Sequence, residues 1–386
     1  MNVKRTFSFS SATGIGLIVA GATLIAATYG LVRLSYGLLL PDVQRDLGFD
    51  AAAAGAVSAG ASVLYCVGAA AGLVLGGRHA RLLVAAAGGT AGAGAAGMAL
   101  AGAFPSFAAW AVLASTGAGL ASPAMVAILQ RNLRPHARES GQSVVNAGTG
   151  PGLVLAGMLA LALLPDWRRA WVVAAVVTVA AAGSVLALDR RVSPDAEPRG
   201  GLPLAWLRAH LGVITAAFLM GVASAAVWIS GRGLLVEAGA PTVLSVVAWI
   251  VLGAGGAAVV ATVRPMSRLS PRSSWAVTTG GVAGATALLG AAPSVLPLAI
   301  AACLVFGWSY TAGSGALIAW TTEIDVRRAA TGTALLFIVL VLGQAVGAAV
   351  LGALAAGAGF GIAFLLAAAA GVGAVLPTLG ERAKRA

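Results

Sequence analysis

The sequence predicts an all-α integral membrane protein with twelve spanning helices, built as two six-helix repeats with both termini in the cytoplasm. Three observations carry this: the composition, a series of apolar segments of spanning length, and the placement of positive charge. Of 386 residues, 59% are hydrophobic and 9% charged, whereas soluble domains carry about 25% charged residues. A soluble chain of this makeup lacks the polar residues to cover its surface. The bilayer is the solvent that fits, and 53 glycines suit helices that pack closely in lipid.

A spanning helix takes roughly 20 apolar residues. Splitting the chain at charges, prolines and polar clusters places six segments near 13–40, 52–75, 82–104, 107–129, 140–164 and 169–188. A second six lie near 211–236, 242–263, 275–292, 295–321, 329–354 and 359–379. The opening Met1-Asn2-Val3-Lys4-Arg5 imitates a secretory signal. Its apolar run continues to Leu40, well past a signal core of about 7–15 residues, so it is read as the first, uncleaved helix. Cys66 and Cys303 fall inside apolar segments far apart in the chain, and both read as small core residues.

Charge sets the orientation. With the N-terminus cytoplasmic, all of the 24 Lys and Arg residues except Arg33, Arg45, Arg168, Arg169 and Arg232 fall on the cytoplasmic side. They occur singly or in short groups, with no extended patch to track phosphates, so the net charge of +12 sets topology rather than nucleic-acid binding. Between Asp189 and His210 lie Pro194, Pro198, Gly200, Gly201 and Pro203, the composition of a linker. The expected units are therefore a bundle over 1–188, a cytoplasmic linker over 189–210, and a second bundle over 211–386.

An internal repeat supports that division. Gly37-Leu38-Leu39-Leu40 matches Gly233-Leu234-Leu235-Val236, and Gly119 with Gly141 matches Gly315 with Gly332. These pairs share an offset of just under 200 residues, as a duplication would produce.

Several motifs then resemble one known family. The stretch Gly72-Leu73-Val74-Leu75-Gly76-Gly77-Arg78-His79-Ala80-Arg81 is similar to the signature between helices two and three of the major facilitator superfamily, with Gly76 where that signature has Asp. Arg264-Pro265-Met266-Ser267-Arg268 occupies the related loop of the second half. Gly148-Thr149-Gly150-Pro151-Gly152 resembles the Gly-Pro motif of the drug/proton antiporter branch. The opening Gly30-Leu31-Val32-Arg33-Leu34-Ser35-Tyr36-Gly37, continuing to Pro41 and Asp46-Leu47-Gly48, resembles the bacterial YbfB/YjiJ-type branch. The resemblance implies a secondary transporter working by alternating access, with the first and seventh helices lining the path. It departs from the antiporter branch at Leu113, where that branch places an arginine four residues before Gly117-Ala118-Gly119. That arginine is associated with proton coupling.

The site candidates come from polar residues inside apolar segments, where a charge costs about 2.5–3.5 kcal/mol. Arg33 stands between Tyr29 and Tyr36 at helical spacing, and Arg232 stands four residues after Trp228. These five, with the amides Asn146 and Gln344, are the expected substrate contacts. Arg33 either contacts substrate, favouring an anionic group, or snorkels or bonds backbone carbonyls as a gate element, while Arg232, nearer its helix end, is expected to snorkel. Tyr65, Trp249, Trp308 and Tyr310 are weaker candidates. Gly72, Arg78, Arg81, Gly150 and Pro151 are the expected gating residues. No acid is read as lying deep in a helix, and His79, His136 and His210 are read as loop residues. Proton coupling would then fall to an end-located acid, Asp42 or Glu323.

The sequence thus leads to an exporter of a small organic, anionic molecule in the cytoplasmic (inner) membrane, monomeric, with no cofactor or metal. Multidrug-type efflux of neutral or cationic lipophiles stays open, as does a non-transporting sensor or scaffold. An enzyme is not expected: there is no P-loop, no metal-ligand spacing and no paired acid cluster.

Overall fold

The computed structural model describes residues 12–189 and 203–378. The first apolar segment runs unbroken as α1 (Ala12–Ile25), a π-helical stretch (Ala26–Leu34) and α2 (Ser35–Leu47). Gly48 ends it in the left-handed conformation at φ 67°, its N–H bonded to the Gln44 carbonyl. Asp50 caps the next helix by accepting from Ala53 N at 2.8 Å. That helix, α3 (Ala51–Leu100), is 50 residues long, about 75 Å at 1.5 Å per residue. It exceeds a hydrocarbon core of roughly 30 Å. It breaks at His79, the one interior residue with non-helical angles. The loop expected between the second and third segments is therefore a kink.

The remaining N-terminal helices are α4 (Phe104–Asn132), α5 (Pro135–Ala147), α6 (Thr149–Leu163) and α7 (Trp167–Leu188). Gly148 interrupts the fifth expected segment between α5 and α6. The C-terminal set begins with α8 (Leu204–Glu237), which takes in residues up to His210 that composition assigns to the linker. The rest of that expected linker, 190–202, lies outside the described residues. Next come α9 (Thr242–Ala257), α10 (Val259–Met266), α11 (Pro271–Ala291), α12 (Leu296–Ile324), α13 (Ala329–Ala358) and α14 (Phe360–Gly373).

Among the described residues, ten helices are long and apolar enough to cross a membrane. Ala51–Leu100 is one of them; α11 is not, although it is 21 residues long. Its Arg272, Ser273, Ser274, Thr278 and Thr279 dilute its apolar content. Large apolar side chains such as Val19, Val74, Val176 and Val260 are more than half exposed. On a water-soluble surface they would form a sticky band; against lipid tails they are solvated.

Among the described residues, the N-terminal and C-terminal helices meet mainly where α2 packs on α8, α3 on α13 and α6 on α9. Small residues make these seams tight. A Cβ on Gly37 would overlap the Trp228 carbonyl oxygen, and one on Gly55 would overlap the Ala348 carbonyl.

Candidate functional site

The π-helical stretch sets the position of Arg33. It places an extra residue in the turn relative to an α-helix, and such insertions recur at functional sites. Gly30, inside it, lies against the backbone of Gly152, where a Cβ would sit 2.5 Å from the Gly152 carbonyl carbon. Ser35 Oγ donates to the Gly30 carbonyl at 2.7 Å and holds the following turn. Arg33 then reaches across the seam: its Nη2 donates to Gln344 Oε1 on α13 at 3.0 Å. Its guanidinium carbon sits 4.7 Å from the centre of the Tyr65 ring, a cation–π contact. Tyr65 in turn shares a 3.0 Å hydrogen bond with the Tyr29 hydroxyl.

Gln344 links this group to a second one. Its Nε2 donates to Tyr310 OH at 3.0 Å and to Ser224 Oγ at 3.3 Å. Tyr310 stacks on Phe306, and Trp228 meets Tyr310, Phe306 and Trp249 edge to face, with centroids 5.3–6.0 Å apart. Tyr36 donates to the Ala54 carbonyl at 3.0 Å and stacks on Phe107. Arg33, Tyr36, Trp228 and Gln344 line one cavity of about 50 Å³ between the two sets of helices. At roughly 10–15 Å³ for a single water on this scale, it holds a few waters. Among the described residues Arg33 forms no ion pair, so the cavity holds a cation with no protein counter-charge.

Not every expected contact gathers there. Tyr29 stands one residue behind, bonded to Tyr65. Asn146 is exposed and accepts from Gln142 Nε2 at 2.9 Å, away from the cavity. Trp308 donates to Thr262 Oγ1 at 2.8 Å, apart from the Trp228 cluster.

Arg232 departs from expectation. Instead of snorkelling it is 2% exposed. Its Nη1 pairs with Asp42 Oδ2 and donates to the Leu38 carbonyl, and its Nε donates to Ser245 Oγ at 3.1 Å. Asp42, in turn, is 4% exposed inside α2 and also takes Arg45 at 3.2 Å. Asp42 thus stands toward the end of its helix, as expected, but there it is buried and paired. Two ions taken out of water need each other, and this pair ties α2 to α8 at one end of the molecule.

The family model for the Major Facilitator Superfamily matches residues 22–340. The chain belongs to that superfamily. Solved transporters share the fold: a peptide transporter POT in complex with alafosfalin at TM-score 0.78 and 14% identity, covering 98% of this chain and 96% of that one. Nucleoside transporter NupG matches at TM-score 0.77 and 12% identity, covering 96% and 99%. A bacterial homolog of the human lysosomal transporter Spinster, inward-facing and unoccupied, matches at 0.71 and 14%, covering 96% and 95%. At such identities the likeness is one of fold. Comparison with curated protein sequences finds no match.

The stretch Gly72–Arg81 lies at the end of the molecule opposite Asp42, around the kink at His79. Gly72 packs on the Pro123 ring, and Arg78 is exposed. Arg81 Nη1 donates to the carbonyls of Leu186 at 3.0 Å and Asp189 at 2.7 Å, and reaches the Asp189 carboxylate at 3.3 Å. Arg131 pairs with the same carboxylate, and Asn132 Nδ2 donates to it at 2.7 Å. Asp189, expected as the first linker residue, is thus the buried anchor that ties the ends of α4 and α7 to α3 beside its kink at His79. Burial pushes its carboxyl up, but Arg131, Asn132 and Arg81 outweigh that and hold it below the ordinary carboxylate range.

The other gating and coupling candidates are more dispersed. Gly150 approaches Gly253 and Ala257 on the α6–α9 seam, while Pro151 is exposed. Glu323 lies 3.9 Å from Arg272, a loose and partly exposed pair. His210, expected in a loop, is fully buried in α8, stacked on Trp206. Its Nδ1 donates to the Trp206 carbonyl at 2.9 Å, and its Nε2 lies 3.2 Å from Thr321 Oγ1. In sequence its only signal was its position in a continuous helical register after Pro203.

Proposed function

We propose that this chain is a secondary transporter that carries a small organic anion across the cytoplasmic membrane by alternating access, in the export direction. One observation carries the reading: Arg33 stands unpaired beside a cavity at the junction of the two helix sets, hydrogen-bonded across it to Gln344. A cation kept in that setting without a carboxylate is stabilised by an anion that arrives as substrate. Export is supported by the likeness of Gly148–Gly152 to the Gly-Pro motif of antiporters.

Twelve crossings are the ten apolar spans with Ala51–Leu100 counted on each side of His79 and Pro271–Ala291 added. The two six-helix bundles are supported by pairings that recur in each: α3 with α7 and α11 with α14, α3 with α4 and α9 with α12. Basic residues then assign the Asp189 end and both termini to the cytoplasm. On that assignment the Asp42–Arg232 pair and the Gly37 and Gly55 contacts form an outer gate, closed here, and the bundles rock about the cavity to open it. Asp42 and Glu323 are the coupling candidates, of which Asp42 is the buried one. The transporter acts as a monomer.

The test is a thermal-shift screen of detergent-purified protein with anionic, neutral and cationic compounds. A ligand stabilises by RT ln(1 + [L]/Kd), about 2.7 kcal/mol at a hundredfold excess over Kd. Stabilisation by anions that Arg33→Leu abolishes supports the proposal. Stabilisation by neutral or cationic lipophiles alone, unchanged in Arg33→Leu, replaces it with multidrug-type efflux.

A further inference from the structure

We infer that the cavity accepts a compact aromatic monocarboxylate carrying a hydrogen-bonding ring substituent, an inference that rests on the anion reading above. Charge sets the first limit. Arg33 is the single charged residue lining the cavity, and the other intramembrane cation, Arg232, is committed to Asp42. One cation balances one negative charge; a dicarboxylate or a phosphate dianion would bring an uncompensated charge into a poorly solvated site. The guanidinium is also oriented before a ligand arrives. Tyr65 supports its face at 4.7 Å and Gln344 takes one N–H at 3.0 Å. Of its five donors, that is the single hydrogen bond among the described residues, and a carboxylate takes two of the rest in parallel.

The walls set the second limit. Trp228 is wedged by Trp249, Phe306 and Tyr310, while Tyr36 is pinned by the Ala54 carbonyl and Phe107. Two aromatic side chains so fixed offer flat, rigid surfaces, against which a ring gains contact that a flexible chain does not match. A volume of about 50 Å³ between them favours one ring over a fused system.

A third feature lies on the remaining wall. Ser58 and Ser62, one turn apart on α3, and Ser115 of α4 line the same cavity. Ser115 is 1% exposed, and among the described residues its Oγ has no hydrogen-bond partner. Buried hydroxyls are nearly always bonded, so an orphan beside a cavity points to a ligand group that completes it.

The experiment is isothermal titration of purified full-length protein with 4-hydroxybenzoate, 3-hydroxybenzoate, benzoate, cyclohexanecarboxylate, phthalate and 4-hydroxybenzyl alcohol. At least one hydroxybenzoate should bind about five- to tenfold tighter than benzoate, the usual worth of one neutral hydrogen bond. Cyclohexanecarboxylate should be weaker than benzoate, and phthalate and the alcohol should not bind. Ser115→Ala should erase the hydroxybenzoate advantage and leave benzoate unchanged. Equal binding of cyclohexanecarboxylate or phthalate, lost in Arg33→Leu, overturns the aromatic monocarboxylate while the anion reading stands. Binding of the alcohol that Arg33→Leu leaves intact sinks both, and no binding by any of the carboxylates overturns the substrate class.

Discussion

Asp42→Asn is the substitution whose consequence follows most directly from the geometry. It leaves the shape of α2 nearly unchanged and removes the counter-charge of Arg232, which is 2% exposed. Arg232 keeps its bonds to the Leu38 carbonyl and Ser245 Oγ, but neither carries charge. Removing one partner of a buried ion pair costs about 3–5 kcal/mol, because the other is left uncompensated. In the closed arrangement seen here that cost is borne in full; once α2 and α8 part, water solvates the guanidinium. The penalty therefore acts on the closed state alone and shifts the equilibrium toward opening by roughly a hundredfold to several thousandfold. Spin labels at Gln44 on α2 and Glu237 on α8 report the separation by pulsed electron resonance. The wild type should give a short distance, Asp42→Asn a long one, and Asp42→Asn with Arg232→Met the short one again, since apolar replacement of both partners is close to neutral. An unchanged short distance in Asp42→Asn would refute the idea that this pair holds the gate.

Two further predictions concern the seams and the opposite end. Gly37→Ala places a methyl group against the Trp228 carbonyl and should destabilise the closed seam by about 1–3 kcal/mol, read as a longer Gln44–Glu237 distance; a tolerated alanine with no shift contradicts the contact. At the other end, Asp189 has a folded pKa held below its unfolded value. Its stabilising contribution is thus full above about pH 4, the ordinary carboxylate value, and is lost as pH falls through the lowered folded value. Arg131→Leu should lower the melting temperature at neutral pH, with the deficit shrinking as pH falls below about 4. A deficit that does not vary with pH would mean that the carboxylate is not its cause.

The parts of the fold visible in sequence are those that follow from local solvent preference. Runs such as 211–236 and 329–354 are apolar because lipid is their solvent, and α8 and α13 lie there. Arg33 stood out for the same reason, as did Gln344: a polar group in an apolar run has to be accounted for. What local pattern does not encode is pairing at long range. Asp42 and Arg232 are 190 residues apart, so Asp42 read as a helix-end acid and Arg232 as a snorkelling one. Asp189 read as linker because its partners Arg81 and Arg131 belong to other helices. The π-helical turn at Ala26–Leu34 was likewise invisible, and so was the close approach of Gly30 within it to the Gly152 backbone, a contact between distant parts of the chain. Asn146 shows the converse error, a polar side chain within an apolar stretch that faces outward onto Gln142.

The central claim is that Arg33 holds the anion that the protein moves. The direct measurement is counterflow of a radiolabelled carboxylate, chosen from the titration above, into proteoliposomes loaded with the same unlabelled compound. Wild-type vesicles should accumulate label, and Arg33→Leu vesicles should fall to the level of empty liposomes while the protein stays folded by its melting curve. Equal accumulation by Arg33→Leu would contradict the account.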